Sequence, residues 1–434
     1  METKATTAIL SAIAFAIIAD VLLCLRYAGW GCDLSELLPF LGFTILAELL
    51  VIYSISYFNQ IINPFALYAV FIYIAGFSFL TVSDRQQPNT VLFNTIIVLS
   101  IAAFLGGSMA ALKTNKLTVK SLIPTLSAEM SFAFLLMLLV VGIGVFVMEI
   151  KQLGYLPVLN LGNAAVYDDL NENAVTPLHN FIVLNAVLPA MFYISNKRGL
   201  IPFWVFIGLS LVSSFIILNF FSRQIIVLFF FSMLVAVSYY KSISVTKLLS
   251  VGAVCILLFI LLGQLRGNSE DQVNAGSIND FLKQFAGINK PTNILETYLS
   301  LYGGVNFSTG SMISQAAVHD NYVSYGAYAL RPLIGALPVD ADKIYPMTYS
   351  SYSLLGTYLV DPFLDFRWFG VLGFNFLYGF LSMNSFKNYL TKQSPYYIVE
   401  WSLFVFCIFM CSFTNYFNLF FVVFFFIINR LAIK

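Results

Sequence analysis

Six arginines carry most of the chemistry open to this sequence: Arg26, Arg85, Arg223, Arg266, Arg331 and Arg367. Arginine presents a rigid, permanently charged fork matched to phosphate and carboxylate, whereas lysine is a point charge on a flexible stem. Few other reactive groups stand beside them. His179 and His319 are the only histidines, and Cys24, Cys32, Cys255, Cys407 and Cys411 form neither a CxxC metal pattern nor a disulfide framework. With no His/Cys ligand cluster, no metal and no cofactor is expected. Arginines in such a setting suit an anionic ligand, a lipid phosphate for example. Ordinary loop salt bridges and headgroup contacts are the alternative reading of each one.

The elements that must position these residues are dictated by composition. Of 434 residues, 59% are hydrophobic and only 10% charged, and the mean hydropathy is +0.86. A water-facing surface needs about 25% charged residues. Repeated apolar stretches of about 17 to 22 residues fit a bilayer core of about 30 Å. The expected fold is therefore an all-α polytopic integral membrane protein with one large extracytoplasmic loop. The formal net charge of +1 leaves no basic face for a nucleic acid.

Twelve spans are expected, at about 8–25, 37–57, 63–82, 91–112, 127–148, 180–196, 200–220, 224–240, 247–263, 366–385, 397–414 and 416–431. The first has the character of an uncleaved signal-anchor. The last two form one apolar run, and a turn near Asn415, Tyr416 and Asn418 is expected to divide it. Three regions follow: nine helices over 1–263, a loop over 264–365, and three helices over 366–434.

Orientation follows from the basic residues. With the N-terminus inside, the cytoplasmic segments hold Lys4, Lys113, Lys116, Lys120, Lys197, Arg198, Lys241, Lys247, Lys387, Lys392, Arg430 and Lys434. The short outer loops hold only Arg26, Arg85, Lys151 and Arg223. Such a bias places both termini in the cytoplasm. It also leaves the six arginines named above on the outer side.

A loop of about 100 residues is far longer than an ordinary connection and is expected to be functional. Ser277 and Asp280 are placed to cap a helix with Ile278, Phe281, Leu282, Phe285 and Ile288 at helical spacing. A second helix is expected from Thr292 to Tyr302, ending at Gly303-Gly304. Both could lie in the membrane interface. Tyr298, Tyr302, Tyr322, Tyr325, Tyr328, Tyr345, Tyr349, Tyr352 and Tyr358 supply either sugar-binding faces or an interfacial aromatic belt. His319 and Arg331 lie in the same loop, with Asp361, Asp365 and Arg367 clustered where the chain re-enters the membrane.

This pattern resembles the Wzy-type O-antigen polymerases, the oligosaccharide repeat-unit polymerases. The resemblance covers size, span count, cytoplasmic termini and a large outer loop late in the chain. Its local anchors are Ser222-Arg223-Gln224, Arg266 at the loop entrance, and Asp365 to Gly373, which reads DFRWFGVLG. His319-Asp320-Asn321 followed by Tyr325-Gly326 is similar to the histidine segment of the related O-antigen ligases. The R-x10-G pattern of some members is absent, Ser277 standing eleven residues after Arg266.

The resemblance implies a GT-C-like fold in a bacterial inner membrane and a metal-independent glycosyltransferase on its outer face. The growing glycan on undecaprenyl diphosphate would pass to a new lipid-linked repeat unit. Membrane lipids, a chain-length regulator and a flippase are the implied partners. Arg223 and Arg266 would hold the diphosphate, and His319 or a loop carboxylate would take the acceptor's proton. Arg331, Tyr325, Asp361, Asp365 and Arg367 would bind substrate.

Two other readings stay open. An O-antigen ligase shares the architecture and differs in acceptor. A lipid-linked-oligosaccharide flippase or transporter would use acids inside the spans, of which Glu48 is the most central, with Asp20, Glu129 and Glu400 nearer the edges. Glu48 could equally be protonated, or paired with Asn or Tyr within the bundle. Internal repeats, frequent in transporters, are not evident.

Overall fold

The computed structural model describes residues 17–81, 89–114, 131–160, 178–220, 222–241, 278–334, 356–392 and 394–432, with positions 243, 250 and 252. Among them there are helices and no strand. Five segments of the described residues are long and apolar enough to cross a membrane: Leu34–Phe58, Val91–Lys113, Phe132–Leu153, Arg223–Tyr240 and Pro395–Ser412. The chain is therefore a helical, membrane-associated protein. Most of the expected span 9, with Arg85, Glu129, Arg266, Ser277, Tyr345, Tyr349 and Tyr352, lies outside the described residues.

Helix α1 (17–28) leads through a turn at Gly29–Gly31 to α2 (Leu34–Phe58). The Glu36 carboxylate accepts the Asp33 N–H at 3.1 Å and so closes the start of α2. Helix α3 (Pro64–Phe77) has Pro64 in its first turn and the Asn63 side chain accepting the Ala66 N–H at 2.9 Å. At about 1.5 Å per residue, its 14 residues reach only ~21 Å.

Helix α4 (Val91–Thr114) is followed by α5 (Phe132–Leu153), which ends on Gly154 at φ 82°. The span expected at 180–196 is broken. It consists of α6 (His179–Val183), a 3-10 turn (Leu184–Ala186) and α7 (Leu188–Lys197). Pro189 has no N–H to give, so it stands in the first turn of α7, where none is needed, and cannot extend the hydrogen-bond ladder of α6. The Asn185 amide donates to the Phe181 and Ile182 carbonyls at 3.2 and 3.0 Å. A break inside a membrane bundle survives when its polar groups are met within the protein, and residues 182–192 are buried. Helices α8 (Phe203–Leu218) and α9 (Arg223–Tyr240) follow.

The expected loop helices are found, with one correction. Helix α10 (Ile278–Ala286) matches the first, and α11 (Ile294–Leu299) starts on an Asn293–Glu296 capping box. The chain does not stop at Gly303-Gly304. It winds through a π-helical turn (Ser300–Val305) into α12 (Asn306–His319). Here the glycines serve close packing: a Cβ on Gly303 would meet Ile74 Cγ2 at 3.1 Å and the Ile74 carbonyl at 3.3 Å. Helix α12 is itself buried along Asn306–Ser311, with Ser311 Oγ accepting the Thr90 N–H at 3.1 Å and lying 3.1 Å from Thr90 Oγ1, just ahead of α4. The loop thus sends a polar helix into the bundle. Its front part is also tied to α1 by the Arg26–Glu296 ion pair at 2.8 Å.

After α13 (Arg331–Ile334), α14 (Val360–Thr391) is the longest helix among the described residues, and it kinks at Phe366 and Arg367. The start expected at 366 is therefore a bend, with one helical turn before it. Helices α15 (Pro395–Phe409) and α16 (Phe420–Leu431) are joined by short turns, as the Asn415–Asn418 cluster led us to expect. The largest helix contact pairs α4 with α14. A Cβ on Gly107 would lie 2.0 Å from the Phe376 carbonyl oxygen, and one on Gly379 would lie 2.0 Å from that of Phe104. Only glycine permits this backbone-to-backbone approach.

Candidate functional site

The bend in α14 arranges three of the expected residues around one short stretch of chain. Asp365, the last residue before it, accepts from Ser324 Oγ at 2.6 Å and from the Tyr328 and Ala329 N–H groups at 3.0 and 2.7 Å. Both carboxylate oxygens are thus engaged within the chain, and they pin segment 324–329. Arg367 donates through Nη2 to the Ala317 and Tyr322 carbonyls at 2.7 and 2.6 Å, with its guanidinium over the Phe363 ring at 5.0 Å. Its backbone has φ 52°, a conformation that costs a non-glycine residue about 1–3 kcal/mol and must be held by its surroundings.

Asp361 lies one turn earlier. Its Oδ2 accepts from Arg331 Nη1 at 3.4 Å and from Asn418 Nδ2 at 3.3 Å. Asn418 also donates to the Tyr328 carbonyl at 2.8 Å, and Arg331 lies over the Tyr328 ring at 5.3 Å. Burial pushes the Asp361 carboxyl up, opposed by the Arg331 charge and the Asn418 hydrogen bond. Burial likewise pushes the Tyr328 hydroxyl well up.

The turn at 413–419 links this cluster to α9. Tyr416 donates to Gln224 Oε1, next to Arg223, and Asn415 Nδ2 donates to Tyr378 OH at 3.2 Å. Sequence reading used this turn only to divide two spans. In the structure it joins Gln224, Tyr378, Tyr328 and Asp361. The signal was available: three polar residues in an otherwise apolar run.

Tyr325 stands apart, exposed and at φ 50°, on a groove of about 570 Å³ lined by Val323, Phe366, Arg367, Gly370, Phe374 and Leu377 among others. His319 ends α12 with its side chain 88% exposed and Nδ1 2.8 Å from the neighbouring Asp320. Arg331, Asp361, Asp365 and Arg367 are therefore brought together, Gln224, the chain neighbour of Arg223, is tied to the adjoining turn by Tyr416, and His319 sits at the margin. Among the described residues no three potential metal-ligating side chains come together.

Two further arrangements bear on the sequence reading. Glu48 Oε2 is covered and has no hydrogen-bond partner among the described residues, so of its two structural readings, protonated or paired with Asn or Tyr, the pairing is not seen at that oxygen. Glu400, by contrast, accepts from Tyr396 OH at 3.1 Å and Ser385 Oγ at 3.3 Å. The other is a contact that sequence reading missed. Glu149, near the end of α5, holds His179, the first residue of α6, with both carboxylate oxygens 3.1 Å from Nδ1. The cue was an acid closing one apolar run and one of two histidines opening the next.

No protein-family model, curated protein or solved structure matches this chain.

Proposed function

We propose that the chain is a polymerase of lipid-diphosphate-linked oligosaccharide repeat units, of the Wzy type, in a bacterial inner membrane. In this reading twelve spans place both termini in the cytoplasm and residues 264–365 outside. The observation that supports it best is the cluster at the bend of α14, where Arg331, Asp361, Asp365 and Arg367 meet the turn that reaches Gln224 beside Arg223. A glycan on a diphosphate carrier is a strongly anionic donor. Its transfer breaks the bond from the anomeric carbon to the diphosphate oxygen, and the departing charge needs fixed cations. Arg223, with Arg266 and Arg331, supplies them, while Asp365 holds the segment that carries Arg331 in place.

A deletion strain examined by polysaccharide gel tests this reading. Single repeat units on the lipid acceptor are expected in place of long chains. Complete loss of glycan would point to a flippase or ligase. Complementation with Arg223→Lys refines the assignment: the charge stays but the fork is lost, and chain synthesis should fall by roughly 10²-fold at normal protein level.

A further inference from the structure

The transfer needs a proton acceptor for the attacking hydroxyl, and the two histidines offer very different ones. His319 is 88% exposed, and its Nδ1 meets the carboxylate next to it in sequence, Asp320, itself 51% exposed. His179 is 25% exposed and faces Glu149, whose side chain is 2% exposed. The ring is further fixed by the edge of Phe220, centroids 5.2 Å apart, three residues ahead of Arg223. Asn219, beside Phe220, accepts the Val158 N–H at 3.2 Å, so the end of α5, the start of α6 and the α8–α9 turn meet at one place.

Resting on the polymerase reading, we infer that His179 is the base that takes the proton of the acceptor hydroxyl, and that Glu149 is its positioning residue. The reasoning is geometric. Both Glu149 oxygens face Nδ1, so the imidazole carries its hydrogen there and leaves the lone pair on Nε2. A buried carboxylate then stabilises the imidazolium that forms. In the step, the hydroxyl proton moves to Nε2 and the oxygen bonds to the anomeric carbon. The bond from that carbon to the diphosphate oxygen breaks, and its electron pair leaves with the diphosphate. The imidazolium afterwards releases its proton to water. Arg223 follows Phe220 closely enough in the chain for the leaving charge and the base to share one face of the bundle.

The experiment uses the full chain in inner-membrane vesicles supplied with lipid-diphosphate-linked repeat units, with glycan length and rate read by gel. His179→Ala and His179→Gln should each lower the rate about 10²- to 10⁴-fold, and added imidazole should restore part of the rate to His179→Ala. A purely structural histidine would not show that rescue. Glu149→Gln should lower kcat about tenfold or more with KM little changed. Where His179→Ala fails to accumulate, the Gln variant and Glu149→Gln carry the test. Wild-type rates from His179→Gln at normal abundance would overturn the assignment, as would loss of rate on His319→Ala without imidazole rescue of His179→Ala. If wild-type vesicles form no polymer at all, the polymerase reading itself fails, which is a separate result.

Discussion

The α4–α14 contact and the rim around the bend of α14 lie on the same long helix and use polar groups in opposite ways. In the contact, glycines remove side chains so that backbones touch, and the polar bonds are single and local: Ser108 Oγ to the Gly379 carbonyl at 3.1 Å, Asn375 Nδ2 to Ser100 Oγ at 3.3 Å, Lys387 Nζ to the Ala111 carbonyl at 2.6 Å. At the rim, side chains instead bind stretches of loop backbone, three donors converging on Asp365 alone. In the contact, shape does most of the holding. At the rim, charge does. Substitutions should therefore fail for steric reasons in one place and for electrostatic reasons in the other.

The largest effect is expected where shape decides. Gly107→Leu or Gly379→Leu puts a Cβ 2.0 Å from a carbonyl oxygen of the facing helix, with no flexible side chain to move aside. Overpacking typically costs about 1–3 kcal/mol, and a backbone clash inside a helix pair should exceed that. Neither variant should accumulate in the membrane at more than a small fraction of wild type, as read by immunoblot. Normal levels of both would show that the helices can part, and the comparison would lose one side.

Next comes Asp365→Ala. It leaves the Tyr328 and Ala329 N–H groups without their acceptor, at about 1–3 kcal/mol for each buried group left unmet. The helices should stay packed, so protein should accumulate, while segment 324–329 becomes open to protease. Asp365→Asn keeps a shape and one acceptor oxygen, and should fall between. A protease pattern unchanged in the Ala variant would mean that the segment is held by something other than Asp365.

The rim should also respond to pH. Burial raises the Asp361 carboxyl above its ordinary value, with Arg331 and Asn418 opposing. A raised folded-state pKa means that the folded protein holds the proton more tightly than the unfolded chain. The contribution is then full below the unfolded value, near 3.8, and is lost as pH rises through the folded one. The slope is at most about 1.4 kcal/mol per pH unit for one group. Thermal unfolding in detergent should show stability falling as pH rises above about 4, and Asp361→Asn should flatten that part of the curve.

How much of this was legible in the sequence differs between the two regions. Hydropathy and the lysine and arginine bias are one-dimensional signals, and they located apolar helices, the loop helix at 278–286 and the turn before α16. The break at Pro189 was hidden because apolar residues continue across it, so composition saw one span where the backbone makes two helices. The close approach of Gly107 and Gly379 was illegible for another reason: each glycine is visible, but its partner lies some 270 residues away in the chain. At the rim, Asp361, Asp365 and Arg367 stood out as charges at a span end. Their partners Ser324, Asn418 and the Ala317 carbonyl did not, since backbone acceptors and small polar side chains carry no sequence signature of their own.

The smallest effect is expected from Ser108→Ala, one residue from Gly107 in the same contact. Ser108 Oγ donates to the Gly379 carbonyl across the helix pair, buried on both sides. A hydroxyl removed from such a place takes its only buried donor with it, and the Gly379 carbonyl lies within a continuous stretch of α14, where the helix supplies an N–H of its own. Nothing buried is left unmet. Hydrogen bonds between membrane helices average about 0.6 kcal/mol, so the unfolding free energy in detergent should drop by about that much and membrane abundance should not change. Glycine and serine here are neighbours on one helix facing one partner, and shape and hydrogen bonding are tested without changing location. A loss of several kcal/mol from Ser108→Ala would mean that the polar bonds hold α4 to α14 as firmly as the glycines do, and the division between a region governed by shape and one governed by charge would fail.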